Sequence, residues 1–281
     1  MNYIATIGTF DGVHKGHQFL LNFLRQEAEK RNLLTAAIVI DKPSTNRLTT
    51  RAEQDQLINQ LGINQILHFD FDSICRLTAV QFLQLLNEQH NVEALLMGYD
   101  HRFGADLQDF EHLTKTNAPL TIIKCPMTRE VCSSSLIRQE LVQGDIDHAN
   151  QLLGHSYSLT GNVVRGNGIG HTIGFPTANI QPDPHKLIPK SGVYAAQVRN
   201  HKAQVGNYKA LVNIGTNPTV GNSHITIEAY LIDYKGDSLY NQTLTLSFAH
   251  RLRDEIQFHS LTELQQQIQN DLLQCAKLAT L

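Results

Sequence analysis

The sequence predicts an α/β domain built on a parallel sheet, followed by a small antiparallel β-barrel that ends in a helix. Three observations carry this. From residue 1 to about 153, short apolar runs alternate with helical patterns, the rhythm of parallel strands joined by crossover helices. After Gly154-His155-Ser156 the rhythm changes to short β-type runs separated by Gly, Pro and Asn, as in a small barrel. A capped helical pattern then begins at Ser260. The junction falls at 153–157, giving domains 1–153 and 157–281, and 281 residues suffice for two domains of ordinary size.

In the first domain the runs at 3–7, 34–40, 65–69, 94–97 and 120–123 read as strands. Helices are expected near 16–30, 51–61, 79–90 and 107–116, and Thr50 with Glu53 makes a capping box for the second. Two shorter helices follow, 135–143 capped by Ser134 and 146–153 capped by Asp145. In the second domain strands are expected at 157–165, 193–199, 209–214, 225–232 and 243–249. The last helix has Ser260 and Glu263 as a capping box, with Leu264, Ile268, Leu272 and Ala276 as its docking face.

Composition narrows the function. Apolar residues make up 41% and charged residues 17%, which describes a globular chain. A net charge of −3 offers no basic stripe, so no nucleic-acid partner is expected. No window of 18 consecutive apolar residues occurs and the N-terminus runs straight into a strand, so neither a membrane partner nor a signal peptide is expected. Cys75, Cys125, Cys132 and Cys275 lack metal or C-x-x-C spacing and read as reduced residues of a cytoplasmic protein. The expected assembly is a monomer or a weak homo-oligomer.

The most informative stretch is Thr6-Ile-Gly-Thr-Phe-Asp-Gly-Val-His-Lys-Gly-His17. An apolar run ends in a glycine-punctuated turn that opens a helix, and backbone N–H groups converge at such a helix start to favour phosphate. Gly8, Gly12 and Gly16 allow close approach of the backbone. His14 and His17, one turn apart, face one pocket and can donate to the oxygens of a pentacovalent α-phosphate. The plainer reading is a helix cap with two solvated histidines. No Walker A loop occurs; the H-x-G-H form after the first strand resembles the nucleotidyltransferase superfamily, which moves a nucleoside monophosphate.

The second domain carries its own chemistry. Residues 161–179 hold glycines at 161, 166, 168, 170 and 174, a loop able to fold N–H groups round a polyphosphate. Thr177 and Asn179, two apart in an extended stretch, point to one side, and their oxygens suit Mg²⁺ carried by nucleotide phosphates. Ile225, Ile227, Ala229 and Leu231 share one strand face, which puts Glu228 on the other with Thr226 and Tyr230. A carboxylate outside the core is free to take a proton from a hydroxyl nucleophile; the bland alternative is a solvated strand glutamate.

Both halves resemble the prokaryotic bifunctional riboflavin kinase/FMN adenylyltransferase (FAD synthetase) family. The N-terminal matches are G-T-F-D-G-V-H-K-G-H (8–17), G-Y-D-H-R-F-G (98–104) and S-S-S-L-I-R (133–138). The C-terminal ones are G-F-P-T-A-N (174–179), G-V-Y-A (192–195), N-I-G-T-N-P-T (213–219), I-E-A-Y-L-I-D-Y (227–234) and R-L-R-D-E (251–255). The resemblance implies a Rossmann-like nucleotidyltransferase domain and a riboflavin-kinase-like barrel. It implies that His14 and His17 hold the ATP phosphates in adenylyl transfer, with Ser134 and Arg138 on the triphosphate. Gly8, Phe10, Asp11, Gly12, Gly16, Asp100 and Arg102 would line that nucleotide site. In the kinase half it implies a Mg-ATP site from Gly168, Gly170, Gly174, Pro176, Thr177 and Asn179, with Thr177 and Asn179 as metal ligands. Glu228 would be the base for the ribityl 5′-hydroxyl, and Arg251 would sit near the flavin. The expected substrates are ATP, riboflavin and FMN, with FMN and FAD as products.

Three positions depart from the family pattern. Ile40-Asp41-Lys42-Pro43-Ser44 stands where F-x-P-H-P is usual, His101 where Phe is usual, and Ser135 where Thr is usual. The missing loop histidine implies an adenylyl step slower than the kinase step, with Lys42 supplying part of the lost charge. Two other readings remain: a riboflavin kinase with a weakened N-terminal domain, and a flavin-binding regulator without catalysis.

Overall fold

The computed structural model describes residues 1–116, 118–127, 132–166, 169–200, 207–219 and 222–278. They divide into two compact units, Met1–Ser44 with Thr49–Ser134, and Thr45–Leu48 with Ser135–Leu281.

The first unit runs β1 (Tyr3–Gly8), α1 (Lys15–Arg31), β2 (Leu34–Asp41), α2 (Arg51–Gln60), β3 (Gln65–Asp70), α3 (Phe71–Ile74), α4 (Ala79–His90), β4 (Val92–Met97), α5 (Phe110–Leu113) and β5 (Thr121–Lys124). Its strands form a parallel sheet in the order β3-β2-β1-β4-β5. Near-continuous apolar strands suit a sheet buried on both faces. Ala5, Ile7, Ala36 and Ile38 pack one core, while Ile4, Ala37, Val39 and Leu96 pack the other. The winding direction reverses between β1 and β4, and sheets of this type take ligands at the strand C-terminal ends beside such a switch. The Thr50–Glu53 capping box is present in full. The helix expected at 107–116 shrinks to α5, because Leu107 takes a positive φ of 48° and Gln108 bridges back to Phe103.

The second unit holds α6 (Ser134–Gln143, from its second residue on), α7 (Ile146–Leu153), β6 (Ser158–Val164), α8 (Ile169–Thr172), β7 (Ala178–Pro182), β8 (Gly192–Asn200), β9 (Tyr208–Thr219), β10 (Asn222–Leu231), β11 (Thr243–Arg253) and α9 (Leu261–Lys277). Six strands close into an antiparallel barrel in the order β10-β7-β6-β11-β8-β9. The sequence shows five of them as strands; β7 reads only as an extended stretch, because its five residues include Asn, Gln and Pro. Ile227, Ala229 and Leu231 are buried as expected, but Ile225 is 54% exposed. The seam of α9 also differs. Ile268, Leu272 and Cys275 pack on the barrel, Ala276 is exposed, and buried Asp271 accepts from Nε and Nη2 of Arg253 at 2.8–3.1 Å. Ser260 accepts from the Glu263 amide at 3.2 Å, while Glu263 reaches the His259 amide instead of closing the box.

The division of compact units falls 19 residues before the expected junction, at 134/135 against 153. Side-chain packing explains it. Ile146, Ala149 and Leu153 of α7 are fully buried, and Asn150 donates to Phe248 O (2.9 Å) while accepting from Tyr157 N (2.7 Å). Residues 45–48 join the same unit through Arg47 N to His185 O (2.8 Å) and buried Lys186 Nζ to Leu48 O (2.6 Å). A fragment 135–281 should therefore melt above one of 158–281, since burying Ile146 and Leu153 contributes about 1.5–3 kcal/mol each. Equal melting temperatures would show that α6 and α7 add nothing to the barrel.

Candidate functional site

The loop between β1 and α1 is held in an uncommon shape. Phe10 and Val13 both take positive φ (46° and 41°), although neither is glycine and both are buried; such residues persist only where their surroundings fix them. Asp11 does part of this, its Oδ1 accepting from Thr49 N (3.1 Å) and Oγ1 (3.3 Å), while Gly12 N donates to Thr49 Oγ1 (3.1 Å). Ser134 is the first residue of α6 and not its cap, and its Oγ donates to Asp11 O at 2.8 Å. A Cβ on Gly8 would stand 3.1 Å from the Phe10 ring, and one on Gly16 would stand 3.2 Å from the His14 ring. Phe10 itself is fully buried and packs edge-on to His17, so its side chain supports the loop from within.

His14 is the N-cap of α1, its Nδ1 accepting from His17 N at 3.4 Å. That leaves its proton on Nε2. The two imidazoles stack with centroids 3.7 Å apart and planes 18° from parallel. The cap and the paired pocket are thus the same object. Burial pushes the His14 pKa down to about 4, partly opposed by Asp11. Burial and then the neighbouring His14 hold His17 well below the usual value. Both rings are neutral at pH 7, and the His17 Nδ1 is buried without a hydrogen-bond partner among the described residues. Neutral imidazoles can donate to phosphate oxygens without carrying a proton into solution.

The same burial sets a pH dependence. Between pH 6.5 and about 4 the unfolded chain binds a proton at His14 that the folded chain refuses. Stability is therefore full above pH 6.5 and falls as pH drops, by at most about 3 kcal/mol for this group. Melting temperature should fall from pH 7 to pH 5, and less so in His14→Gln. A parallel fall in the variant would assign the loss to other groups.

The second constellation lies on the outer face of the barrel. In register, Glu228 pairs with Asn179 of β7 and with Asn213 of β9. Thr177 Oγ1 donates to Glu228 Oε2 at 3.4 Å, and the Phe175 ring meets Tyr230 edge-on at 5.5 Å. A Cβ on Gly166 would collide with the Asn179 amide and one on Gly170 with Phe175 O, so a larger residue would displace the Asn179 side chain at the first position and meet backbone at the second. Gly174 takes a φ of +85°, Pro176 is exposed, and Gly168 lies outside the described residues. Hydroxyl, amide carbonyl and carboxylate oxygens together are the donors that hard divalent cations take, so these residues fit Mg²⁺. Asn213 escapes sequence reasoning because only strand register brings it beside Glu228.

Other expected residues are placed differently. Arg251 is pinned, its Nη2 donating to Ser191 O and Asp254 Oδ1 (both 2.6 Å) and its guanidinium lying 5.9 Å from the Tyr194 ring centre. Arg138 belongs to the second unit, where its Nε donates to Asn46 O at 2.8 Å. Asp100 and Arg102 follow β4 at the C-terminal edge of the sheet, and both are exposed. Cys125 is buried, with its thiol pKa pushed up to about 11, and is chemically quiet.

An α/β unit with a histidine-bearing anion loop, joined to a barrel with a carboxylate beside a glycine-rich loop, defines a two-site phosphoryl- and nucleotidyl-transfer protein. Residues 1–136 match the FAD synthetase family, and residues 153–279 match the riboflavin kinase family, Flavokinase. The bifunctional riboflavin kinase/FMN adenylyltransferase of Escherichia coli (strain K12) is 35% identical over 96% of this chain and 90% of its own length. That of Haemophilus influenzae is 33% identical over 95% and 91%. A solved structure titled as a macrolide-efflux protein from Streptococcus pneumoniae superposes with a TM-score of 0.88 at 27% identity, covering 99% of this chain and 95% of that one. It shares the fold; no helix among the described residues here is long and apolar enough to cross a membrane. The chain belongs to the bifunctional riboflavin kinase/FMN adenylyltransferase family.

Proposed function

We propose that the barrel phosphorylates riboflavin through Glu228, Thr177 and Asn179, and that the α/β unit adenylylates FMN through His14 and His17. Family membership supplies the two activities, and the geometry supports the residue roles. The observation that carries it is the register that sets Glu228 beside Asn179, with Thr177 Oγ1 donating to its carboxylate. Glu228 takes the proton of the ribityl 5′-hydroxyl as that oxygen attacks the γ-phosphorus of ATP and ADP leaves. Thr177 and Asn179 are the residues that would hold Mg²⁺, which supplies charge neutralisation on the phosphates. In the other unit a phosphate oxygen of FMN attacks the α-phosphorus of ATP, pyrophosphate leaves, and the His14 and His17 N–H groups stabilise the charge on the α-phosphate. The four cysteines form no disulfide, which supports the cytoplasm as the compartment.

Incubation with riboflavin and Mg-ATP, followed by chromatographic separation of the flavins, tests the reading. FMN should accumulate before FAD is formed, because the loop at 42–44 lacks the family histidine. FMN without FAD would support a kinase with a weakened N-terminal unit, and bound but unconverted riboflavin would mark a regulator.

A further inference from the structure

The C-terminal helix carries a polar residue where its docking face calls for an apolar one. Ile268, Leu272 and Cys275 of α9 pack on the barrel, and the same helical stripe continues three residues back to Gln265. Gln265, Gln266 and Gln267 follow one another, yet their surroundings differ. Gln266 is exposed, while Gln265 and Gln267 are half-buried. Gln267 braces the helix itself, its Nε2 donating to Asp271 Oδ1 at 2.8 Å. Asp271 in turn accepts from Arg253 of β11, which anchors α9 to the barrel wall.

Gln265 reaches away from the helix to the glycine-rich loop, 92 residues earlier in the chain, where its Nε2 donates to Ile173 O at 3.1 Å. Ile173 is buried and directly follows α8, and the carbonyls at a helix end need donors from outside the helix. The loop also closes on itself, Phe175 N donating to Gly170 O at 2.8 Å, so Ile173 stands inside that turn. Gly174, with its φ of +85°, leads the chain out of it. Two residues after Phe175 comes Thr177, whose Oγ1 donates to Glu228 Oε2. The segment 173–177 is thus held from α9 at one end and from β10 at the other.

We propose that Gln265 is a positioning residue for phosphoryl transfer, fixing from outside the site the backbone of the loop that receives the ATP phosphates. A loop holds phosphate only where several N–H groups converge on it, and glycines leave the backbone free to lose that arrangement. A bond made to the loop before the nucleotide arrives reduces the ordering that binding must bring about. Gln265 touches neither substrate nor metal in this scheme and acts through Ile173. The proposal rests on the kinase reading of the barrel.

The test is steady-state phosphorylation of riboflavin by the full chain, with Mg-ATP varied at saturating riboflavin and riboflavin varied at saturating Mg-ATP. Native protein would be compared with Gln265→Glu, Gln265→Met, Gln265→Lys and Gln266→Glu. Glutamate keeps the length of glutamine without a donor, methionine suits the apolar stripe without a donor, and lysine keeps one. Gln266→Glu puts the same charge on the same helix one residue away. Gln265→Glu and Gln265→Met should raise the KM for Mg-ATP about two- to tenfold, the worth of one hydrogen bond, with kcat and the KM for riboflavin held. Gln265→Lys and Gln266→Glu should keep the native KM for Mg-ATP. An unmoved KM for Mg-ATP in Gln265→Met, an equal rise in Gln266→Glu or Gln265→Lys, or a fall in kcat alone overturns the proposal and leaves the kinase reading standing. Native protein that makes no FMN from riboflavin overturns both.

Discussion

Glu228→Gln should slow riboflavin phosphorylation by about 10²–10⁴, the usual contribution of a positioned general base, and leave FAD formation from supplied FMN unchanged. Glutamine keeps the length and planarity of the side chain and an oxygen for the Thr177 hydroxyl to bond, 3.4 Å away in the native chain. It cannot take a proton. The two carbonyl-bearing neighbours in register, Asn179 and Asn213, are neutral amides and cannot substitute as bases. The substitution thus removes one chemical capacity with little change of shape. A variant that makes FMN within a few-fold of the native rate would show that Glu228 is not the base. Loss of both activities would point to a folding defect.

His17→Ala should reduce FAD formation by about 10²–10³, as when one transition-state donor is removed, with FMN formation unaffected. His17 is stacked on His14 and edge-on to Phe10, and its Nδ1 is buried with no hydrogen-bond partner among the described residues. Such a nitrogen suits the role on bound phosphate proposed for it. The same change removes a ring held neutral by burial, so the variant should lose less stability than wild type between pH 7 and pH 5. An equal fall in both activities would contradict a role confined to adenylyl transfer.

Most of the fold is legible because hydrophobic period and caps agree. The five parallel strands of the first unit come within two residues of their expected ends, since apolar residues dominate each run. Elements with weak local signals are missed. The strand at 178–182 is polar and ends in proline, and it becomes a strand only because partners on both sides complete the barrel. The helix expected over 107–116 loses to a left-handed residue at 107. The α9 seam departs from strict four-residue spacing because Asp271 earns a buried place through Arg253, which no hydrophobic pattern reports. For the proposed sites, motif spacing points to His14, His17, Thr177, Asn179 and Glu228. Thr49, which locks the anion loop from 38 residues away, is invisible without tertiary structure.

The contrast between a closed barrel and an open sheet bears on how this chain behaves when it is damaged. A closed barrel leaves no row of unpaired N–H and C=O groups, whereas the open sheet ends at β3 on one side and β5 on the other. Edge strands of that kind are templates for other chains. Here they are blunted: β5 is only four residues long and ends in Lys124, and β3 carries His68 and Asp70. Blunted edges are still edges, so on partial heat unfolding association between molecules should begin at the borders of the N-terminal sheet sooner than at the closed barrel.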